Sequence, residues 1–343
     1  MSSQLGFSVY VSTFSEQKKF LKKLEGKEYF VFTSFHIPEE ITPNYSDKII
    51  EMCQWLKEHK FSIIADISPK TITEFDVQSL EDLINIISVD YLRLDYGFSK
   101  EEYNRLESNH QIVYNASTAI RDTINYGSIY MHNFYPRPET GLDEYYFSAL
   151  NTKIREKGGE ILAFIASDSM RRGPLHQGLP TLEKHRNLLP YVQYLDLYKT
   201  FKVEHIFLGD LEMGLNELEL ITSYLQSGVI SIPVKIDSKY NHLIDQEFTV
   251  RIDSPKSLIR VQESRQINHF KKSISPENTS DRLKGSITID NEQMKRYEGE
   301  VQIICKDYPN CNGVNVIGQV LPRYHHLLDI IDRGDKFKFV MEN

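Results

Sequence analysis

The sequence is poor in the residues that build disulfide frameworks and metal centres. It holds three cysteines among 343 residues, Cys53, Cys305 and Cys311. An odd and sparse set of cysteines does not make a disulfide framework, and the spacing of the last two is not that of a zinc site. No His-x-x-x-His or Cys-x-x-Cys motif is present. We therefore expect reduced thiols, no bound metal and no cofactor.

The sequence also lacks long apolar runs and an excess of basic residues. No apolar run approaches the length of a membrane span, and the amino terminus lacks the basic segment and apolar stretch of a secretory signal. The formal net charge of -8 argues against nucleic acid or an anionic membrane as the main partner. We expect a cytoplasmic protein that binds a small molecule, and the sequence leaves open whether it forms a homo-oligomer.

Short apolar segments followed by polar residues recur along the first two thirds of the chain. They alternate with helical patterns, which is typical of parallel βαβ units. No Gly-x-Gly-x-x-Gly motif follows the first segment, which argues against a dinucleotide-binding sheet. The eight segments predict a TIM-like (β/α)8 barrel of the α/β class, with strands at 5–11, 29–34, 61–67, 91–94, 111–115, 128–133, 160–166 and 203–209.

The pattern changes near residue 230 to apolar and polar residues in alternation. Such half-buried strands predict a mostly antiparallel sheet or barrel. We place these strands at 230–236, 248–252, 285–289, 301–304, 314–320 and 336–340. The predicted domains are therefore a catalytic barrel at 1–229 and a smaller β domain at 230–343.

Four predicted barrel strands end in an aspartate, at Asp66, Asp95, Asp168 and Asp210. Residues at the carboxyl ends of barrel strands meet at one rim, where such barrels place their chemistry. Two carboxyl groups on one rim could cleave a glycosidic bond, one protonating the leaving oxygen and the other attacking or activating water. Asp95 and Asp210 rank first: Asp95 shares a side of its strand with Arg93, and Asp210 follows Gly209, which permits close approach of a substrate. The alternative is that each aspartate caps the following helix or binds a backbone amide.

Two loops supply candidate residues for binding a substrate. The long loop after the seventh strand carries Arg171, Arg172 and His176, and adjacent arginines in a rim loop predict a pocket for phosphate or carboxylate. A solvated loop is the alternative. Hydrogen-bonding groups at the ends of the fourth, fifth and sixth strands are further candidates: Arg93, Asn115, His132 and Asn133. A purely structural histidine is the alternative for His132. No Gly-x-Ser-x-Gly motif supports a nucleophile elbow.

These segments resemble a known family. The first strand LGFSVY at 5–10, the segment LGD at 208–210 and above all RGPLHQGLPTLE at 172–183 are similar to the MupG-type 6-phospho-N-acetylmuramidases. That bacterial family was long labelled as having unknown function. The resemblance covers the whole chain, and its central loop is the specific part. It implies a TIM-like barrel followed by a cyclophilin-like β domain.

The resemblance also implies a reaction. The substrate would be N-acetylmuramic acid 6-phosphate–N-acetylglucosamine, a peptidoglycan fragment that is phosphorylated during uptake, and the enzyme would hydrolyse its glycosidic bond during cell-wall recycling. The phosphate and lactyl carboxylate of this amino-sugar disaccharide call for arginine, and the bond calls for carboxyl groups. Two other functions stay open: a non-catalytic phosphosugar-binding protein, and a barrel epimerase or isomerase acting on a sugar phosphate.

Overall fold

A computed structural model of the chain describes residues 5–25, 28–75, 77–94, 97–118, 124–125, 127–267 and 273–341. The described chain forms two compact units, Met1–Leu215 and Asn216–Asn343. The first contains a closed parallel barrel and the second a seven-stranded sheet. The predicted fold class, a TIM-like barrel followed by a mostly β domain, is therefore confirmed.

Eight strands close the barrel, each hydrogen-bonded to its neighbours in sequence and the eighth to the first. They are β1 (Leu5–Ser8), β2 (Phe30–Ser34), β3 (Ser62–Ile67), β4 (Tyr91–Leu94), β5 (Gln111–Asn115), β6 (Ile129–Met131), β7 (Glu160–Ile165) and β8 (His205–Leu208). All eight predicted strands exist, with ends that differ by up to three residues. Each strand is a run of apolar residues because both of its faces are buried, one by the barrel interior and the other by the outer helices.

The helices around the barrel are α1 (Phe14–Leu21), α2 (Tyr45–Glu58), α3 (Pro69–Glu74), α4 (Leu80–Ile87), α5 (Lys100–Glu107), α6 (Glu144–Glu156) and α7 (Pro190–Leu195), and the helix α8 (Leu215–Ser227) follows β8 along the chain. Local sequence explains where several begin. The hydroxyl of Ser99 accepts from the Glu102 amide while the Glu102 carboxylate accepts from the Ser99 amide, a capping box at the start of α5. Asp143 likewise accepts from the Tyr146 amide at the start of α6.

Large side chains fill the barrel interior. The buried cluster contains Phe30, Phe32, Ile64, Val113, Met131, Leu162, Phe164 and Phe207. Gly6 lies beside Phe207, and a Cβ there would come within 2.5 Å of that ring. The absence of a side chain on β1 thus makes room for an aromatic residue of β8, and the interior is a packed core below the mouth.

The second unit contains one sheet, in the order β10-β15-β9-β14-β12-β13-β11. Its strands are β9 (Ile230–Ile236), β10 (Glu247–Thr249), β11 (Leu258–Arg260), β12 (Ser286–Asp290), β13 (Val301–Ile304), β14 (Val314–Val320) and β15 (Lys336–Met341), with the short helices α9 (Ser264–Ile267) and α10 (Leu327–Ile330). All neighbouring pairs are antiparallel except β15 with β9. The sequence prediction missed β11, because Leu258, Ile259 and Arg260 do not alternate between apolar and polar residues.

The division between the two units falls at Leu215/Asn216, at the start of α8. From this helix Glu217 accepts a 2.5 Å hydrogen bond from the buried hydroxyl of Tyr324, so most of α8 belongs to the second unit. The sequence prediction places the boundary at 229/230, after the end of this helix. In the described ranges no helix has the length and apolar character needed to cross a membrane.

Candidate functional site

The carboxyl ends of β2 to β6 place polar side chains above the packed interior. Alternate residues of a strand face the same side. Ile64, Val113 and Met131 belong to the interior cluster, so positions two residues further along these strands also face inward. These positions are occupied by Asp66, Asn115 and Asn133. Tyr91 packs on the same cluster, which places Arg93 on the inner side of β4. We call this polar layer the mouth cluster: Ser34, His36, Asp66, Arg93, Asn115 and Asn133.

An ion pair lies at the centre of the mouth cluster. Nη1 of Arg93 donates to Oδ1 of Asp66 at 2.6 Å, and Nη2 donates to the side-chain oxygen of Asn133 at 2.6 Å. Asp66 and Arg93 are 5% and 4% exposed. Nε of Arg93 is buried and has no hydrogen-bond partner among the described residues. A guanidinium with unused donors inside a barrel mouth is suited to bind an oxygen-rich or anionic group.

His36 is a member of the mouth cluster that the sequence analysis did not select. Its Nε2 lies 3.6 Å from Oδ2 of Asp66, and its Nδ1 lies 3.4 Å from the hydroxyl of Ser34. The imidazole is more exposed than the Asp66 carboxylate. His36 follows β2 by two residues, so the rule that selected the other strand-end residues could have found it. His36 was missed because the residues that follow it, Ile37 and Pro38, do not form an unusual motif that would draw attention to it.

Asn115 ends β5 and is held by its own turn. Its side-chain oxygen accepts from the amide of Ser117 at 3.0 Å and from the Ser117 hydroxyl at 2.7 Å. Asp95, one of the two aspartates ranked first, lies outside the described residues.

His132 lies away from the mouth cluster. It is 1% exposed, its Nε2 is 2.7 Å from the side-chain oxygen of Asn151 on α6, and its ring lies 4.5 Å from that of Phe147. Burial lowers the pKa of His132 to about 4, more than the hydrogen bond to Asn151 raises it. A neutral, enclosed imidazole of this kind joins β6 to α6.

Asp210 holds the loop that follows β7. It is fully buried and accepts from three backbone amides: Ser167 at 2.8 Å, Arg172 at 3.0 Å and Leu179 at 3.2 Å. Burial raises the pKa of Asp210, against the three amide hydrogen bonds, which lower it. All the hydrogen bonds of this carboxylate in the described chain therefore go to one loop, residues 167–182, which we call the β7 loop.

The β7 loop packs directly onto two strand ends. A Cβ on Gly209 would overlap the carbonyl oxygen of Leu179, and a Cβ on Gly178 would lie 2.9 Å from that of Ala166. Gly178 has a φ of +82°, a conformation that favours glycine. Leu179 packs with Tyr10 and Leu211. The loop thus covers the β7 and β8 side of the mouth, whereas the mouth cluster lies on β2 to β6.

The remaining predicted residues lie on this loop. Arg172 pairs with the buried Glu40 at 3.0 Å, and its guanidinium lies 4.2 Å from the centre of the Tyr10 ring, so it is committed to contacts within the protein. Asp168 is exposed and accepts from the Gly214 amide at 2.9 Å.

Arg171 and His176 face a groove at the mouth. Nε of Arg171 donates to the Ser167 carbonyl at 2.9 Å, and Nδ1 of His176 donates to the Arg171 carbonyl at 2.9 Å. These backbone contacts orient both side chains. The groove is also lined by Arg137 from the loop after β6, by the paired Arg172 and Glu40, and by Glu16 and Glu39. In the described ranges no group of three His, Cys, Asp or Glu side chains is placed to hold a metal ion.

The fold and the mouth define a two-unit protein whose barrel carries the candidate site. Two family models cover it: 6-phospho-N-acetylmuramidase, N-terminal, matches residues 5–223, and 6-phospho-N-acetylmuramidase, C-terminal, matches residues 230–340. The chain therefore belongs to the 6-phospho-N-acetylmuramidase family, as the sequence resemblance predicted.

Two solved structures share the whole fold. A conserved protein of unknown function from Enterococcus faecalis is 28% identical with a TM-score of 0.84, and the match covers 99% of this chain and 97% of that one. An uncharacterized protein from B. cereus is 23% identical with a TM-score of 0.78, over 99% and 100% of the two chains. No curated protein matches the sequence significantly.

Proposed function

We propose that the protein is a glycoside hydrolase that cleaves N-acetylmuramic acid 6-phosphate–N-acetylglucosamine into its two sugars. The family to which the chain belongs supports this reaction. The structural observation that carries the proposal is the buried Asp66–Arg93–Asn133 group on the inner side of the barrel mouth. It joins a carboxylate, a cation and an amide in the place where barrels of this type hold their substrates.

Asp66 is the carboxylate that we propose faces the reacting sugar. Hydrolysis develops positive charge at the anomeric carbon, and an ion-paired carboxylate can stabilise that charge or attack the carbon. A second group must protonate the leaving oxygen. Asp95, selected from the sequence, remains the candidate for this role, and His36 is the titratable side chain that lies beside Asp66.

Two separate cationic positions suit the two anions of the substrate. Arg93 is buried and already shares its charge with Asp66, which suits a single carboxylate or a sugar amide. Arg137, Arg171 and His176 line an open groove, which suits a phosphate of higher charge and stronger hydration. We propose that the lactyl side of the sugar meets Arg93 and that the phosphate meets the groove.

The chemistry of the substrate also suggests where the protein works. A disaccharide phosphorylated during uptake is present inside the cell, so we place the reaction in the cytoplasm and in the recycling of cell-wall fragments. The amino sugars released would then re-enter metabolism. A binding protein without catalysis would leave the same disaccharide unchanged.

Mass spectrometry of the products tests the proposal. The purified protein is incubated with the 6-phosphorylated disaccharide and with its unphosphorylated form. We expect cleavage of the phosphorylated form alone, and loss of cleavage in Asp66→Asn. Asp168→Asn is the matched control, because Asp168 is a strand-end aspartate of the same barrel that contacts only a backbone amide among the described residues. An unchanged phosphorylated disaccharide in the wild-type reaction would exclude this hydrolase activity.

A further inference from the structure

Two loops that line the groove come from different parts of the barrel. Residues 132–143 follow β6 and carry Arg137; we call them the β6 loop. The β7 loop carries Arg171 and His176. A phosphate that contacts both loops needs them at a fixed separation. Backbone hydrogen bonds join the two loops, from the Tyr135 amide to the Pro180 carbonyl and from the Leu142 amide to the Thr181 carbonyl. The side chain of Arg186, which is only 4% exposed, also lies between them.

Arg186 donates to backbone oxygens of both loops. Its Nη1 donates to the carbonyl of Tyr135 at 3.0 Å and to that of Gly178 at 3.0 Å, and its Nη2 donates to the carbonyl of Arg137 at 3.2 Å. Arg137 is thus held through its own backbone. His176 lies two residues before Gly178, so the same guanidinium fixes the backbone beside it.

Glu183 completes the connection. Its two oxygens accept from Nε and Nη2 of Arg186 at 2.7 and 2.6 Å. The same carboxylate accepts from the amides of Glu139 and Gly141, at 2.9 and 2.8 Å. Its pKa is lowered to about 2, first by the hydrogen bonds from Arg186. A Cβ on Gly141 would lie 2.6 Å from Oε2 of Glu183, so this position needs glycine.

We propose that Arg186, supported by Glu183, is a positioning residue that sets the separation of Arg137 and His176 and thereby the affinity for the substrate phosphate. Only a planar guanidinium with several fixed N–H groups can reach two loops and a carboxylate together. A lysine has the charge but a single donor centre. The proposal rests on the proposed function for its substrate, whereas the coupling of the two loops is independent of it.

The test uses Arg186→Lys with Arg260→Lys as its matched control. Arg260 and Glu300 form the same type of two-point pair in the second unit, with distances of 2.6 and 3.1 Å. We expect Arg186→Lys to raise KM for the phosphorylated disaccharide roughly tenfold or more and to leave kcat nearly unchanged, since misplaced binding groups weaken substrate binding. Arg260→Lys should leave both constants unchanged while lowering thermal stability to a similar degree.

Hydrogen–deuterium exchange distinguishes the coupling of the two loops from the role of Arg186 in phosphate binding. In Arg186→Lys, amide exchange should accelerate in both the β6 and the β7 loop. In Glu183→Gln it should accelerate in the β6 loop, and this variant also serves if the lysine variant does not fold. Unchanged exchange in either loop of Arg186→Lys would refute the coupling. Faster exchange with an unchanged KM would refute the role in phosphate binding, and an inactive wild type would refute the proposed function alone.

Discussion

Replacing Asp210 separates a loop-holding role from a catalytic one. The carboxylate accepts from the amides of Ser167, Arg172 and Leu179 and is fully buried. Asp210→Ala leaves all three donors without this partner. Asp210→Asn keeps one acceptor oxygen but turns an NH2 group toward an amide that donates. The alanine variant should therefore be the less stable of the two.

The size of each effect follows from the number of donors left unpaired. A buried donor without a partner costs about 1–3 kcal/mol. Two of the three amides belong to buried residues, Ser167 and Leu179, so Asp210→Ala should lose roughly 3 kcal/mol after relief of the buried charge is subtracted. Asp210→Asn should lose about 1–2 kcal/mol, because it loses one hydrogen bond of the three.

The pH dependence has a defined sign. Burial raises the pKa of Asp210 in the folded protein. The contribution of such an acid to stability is greatest below its unfolded pKa and declines as pH rises through the folded pKa. Asparagine does not titrate, so the stability difference between wild type and Asp210→Asn should narrow as pH rises from acidic to neutral values.

Urea unfolding followed by tryptophan fluorescence measures these changes. The single tryptophan, Trp55, lies on α2 of the barrel unit, so its signal reports that unit. The matched activity assay decides the role. An Asp210→Asn protein of wild-type stability whose kcat falls about 1,000-fold at unchanged KM would refute the loop-holding interpretation and restore Asp210 as a catalytic acid.

Other predictions concern the mouth, one buried histidine and one glycine. Arg93→Ala should lower kcat/KM about 100-fold, equivalent to about 2.7 kcal/mol. It should also reduce the free energy of unfolding by about 3–5 kcal/mol, because Asp66 loses its buried partner. Steady-state kinetics and urea unfolding measure the two effects, and unchanged kinetics would contradict the prediction. His132 stays neutral in the folded protein, with a pKa of about 4 against 6.5 as its ordinary value. The contribution of His132 to stability is fully present at pH values above its ordinary pKa and is lost as pH falls through its pKa in the folded protein. The free energy of unfolding should therefore decrease by about 2 kcal/mol between roughly pH 7.5 and pH 5. Unfolding in urea at both pH values should show this loss in wild type and in the control His176→Gln, but not in His132→Gln. Gly209→Ala should destabilise the barrel by about 1–3 kcal/mol, because the new methyl group displaces the β7 loop. Urea unfolding measures this, and an unchanged midpoint would show that the loop moves freely.

Most of the barrel could be predicted because the sequence patterns that indicate its strands and helices are local. Each strand is an apolar run ended by a polar or turn residue, and several helices begin at a capping side chain. Strand ends were placed less well, since hydrogen bonding to neighbours determines them. After residue 182 the chain forms a 3-10 turn at Glu183–His185 before α7 begins at Pro190. Arg186 and Glu183 hold that turn through contacts to distant loops, which a local pattern does not contain.

The site was only partly predictable, for a related reason. The rule that strand-end residues meet at one rim places Asp66, Arg93 and Asn133 near one another, and hydrogen bonds join these three side chains in the structure. It did not show that Arg172 is paired with Glu40, because the two residues are 132 positions apart. An arginine that binds a ligand and an arginine that holds a loop have the same sequence signature. Only the three-dimensional partner distinguishes them.

The alternation of side chains along each strand explains why two strand-end aspartates differ. Asp66 follows the interior residue Ile64 by two positions, so it faces the mouth. Asp210 follows the interior residue Phe207 by three, so Gly209 takes the inward position and Asp210 turns to the backbone of the β7 loop. The number of positions from the last interior residue is thus a criterion that selects Asp66 over Asp210, and kinetics of the two asparagine variants would test this ranking.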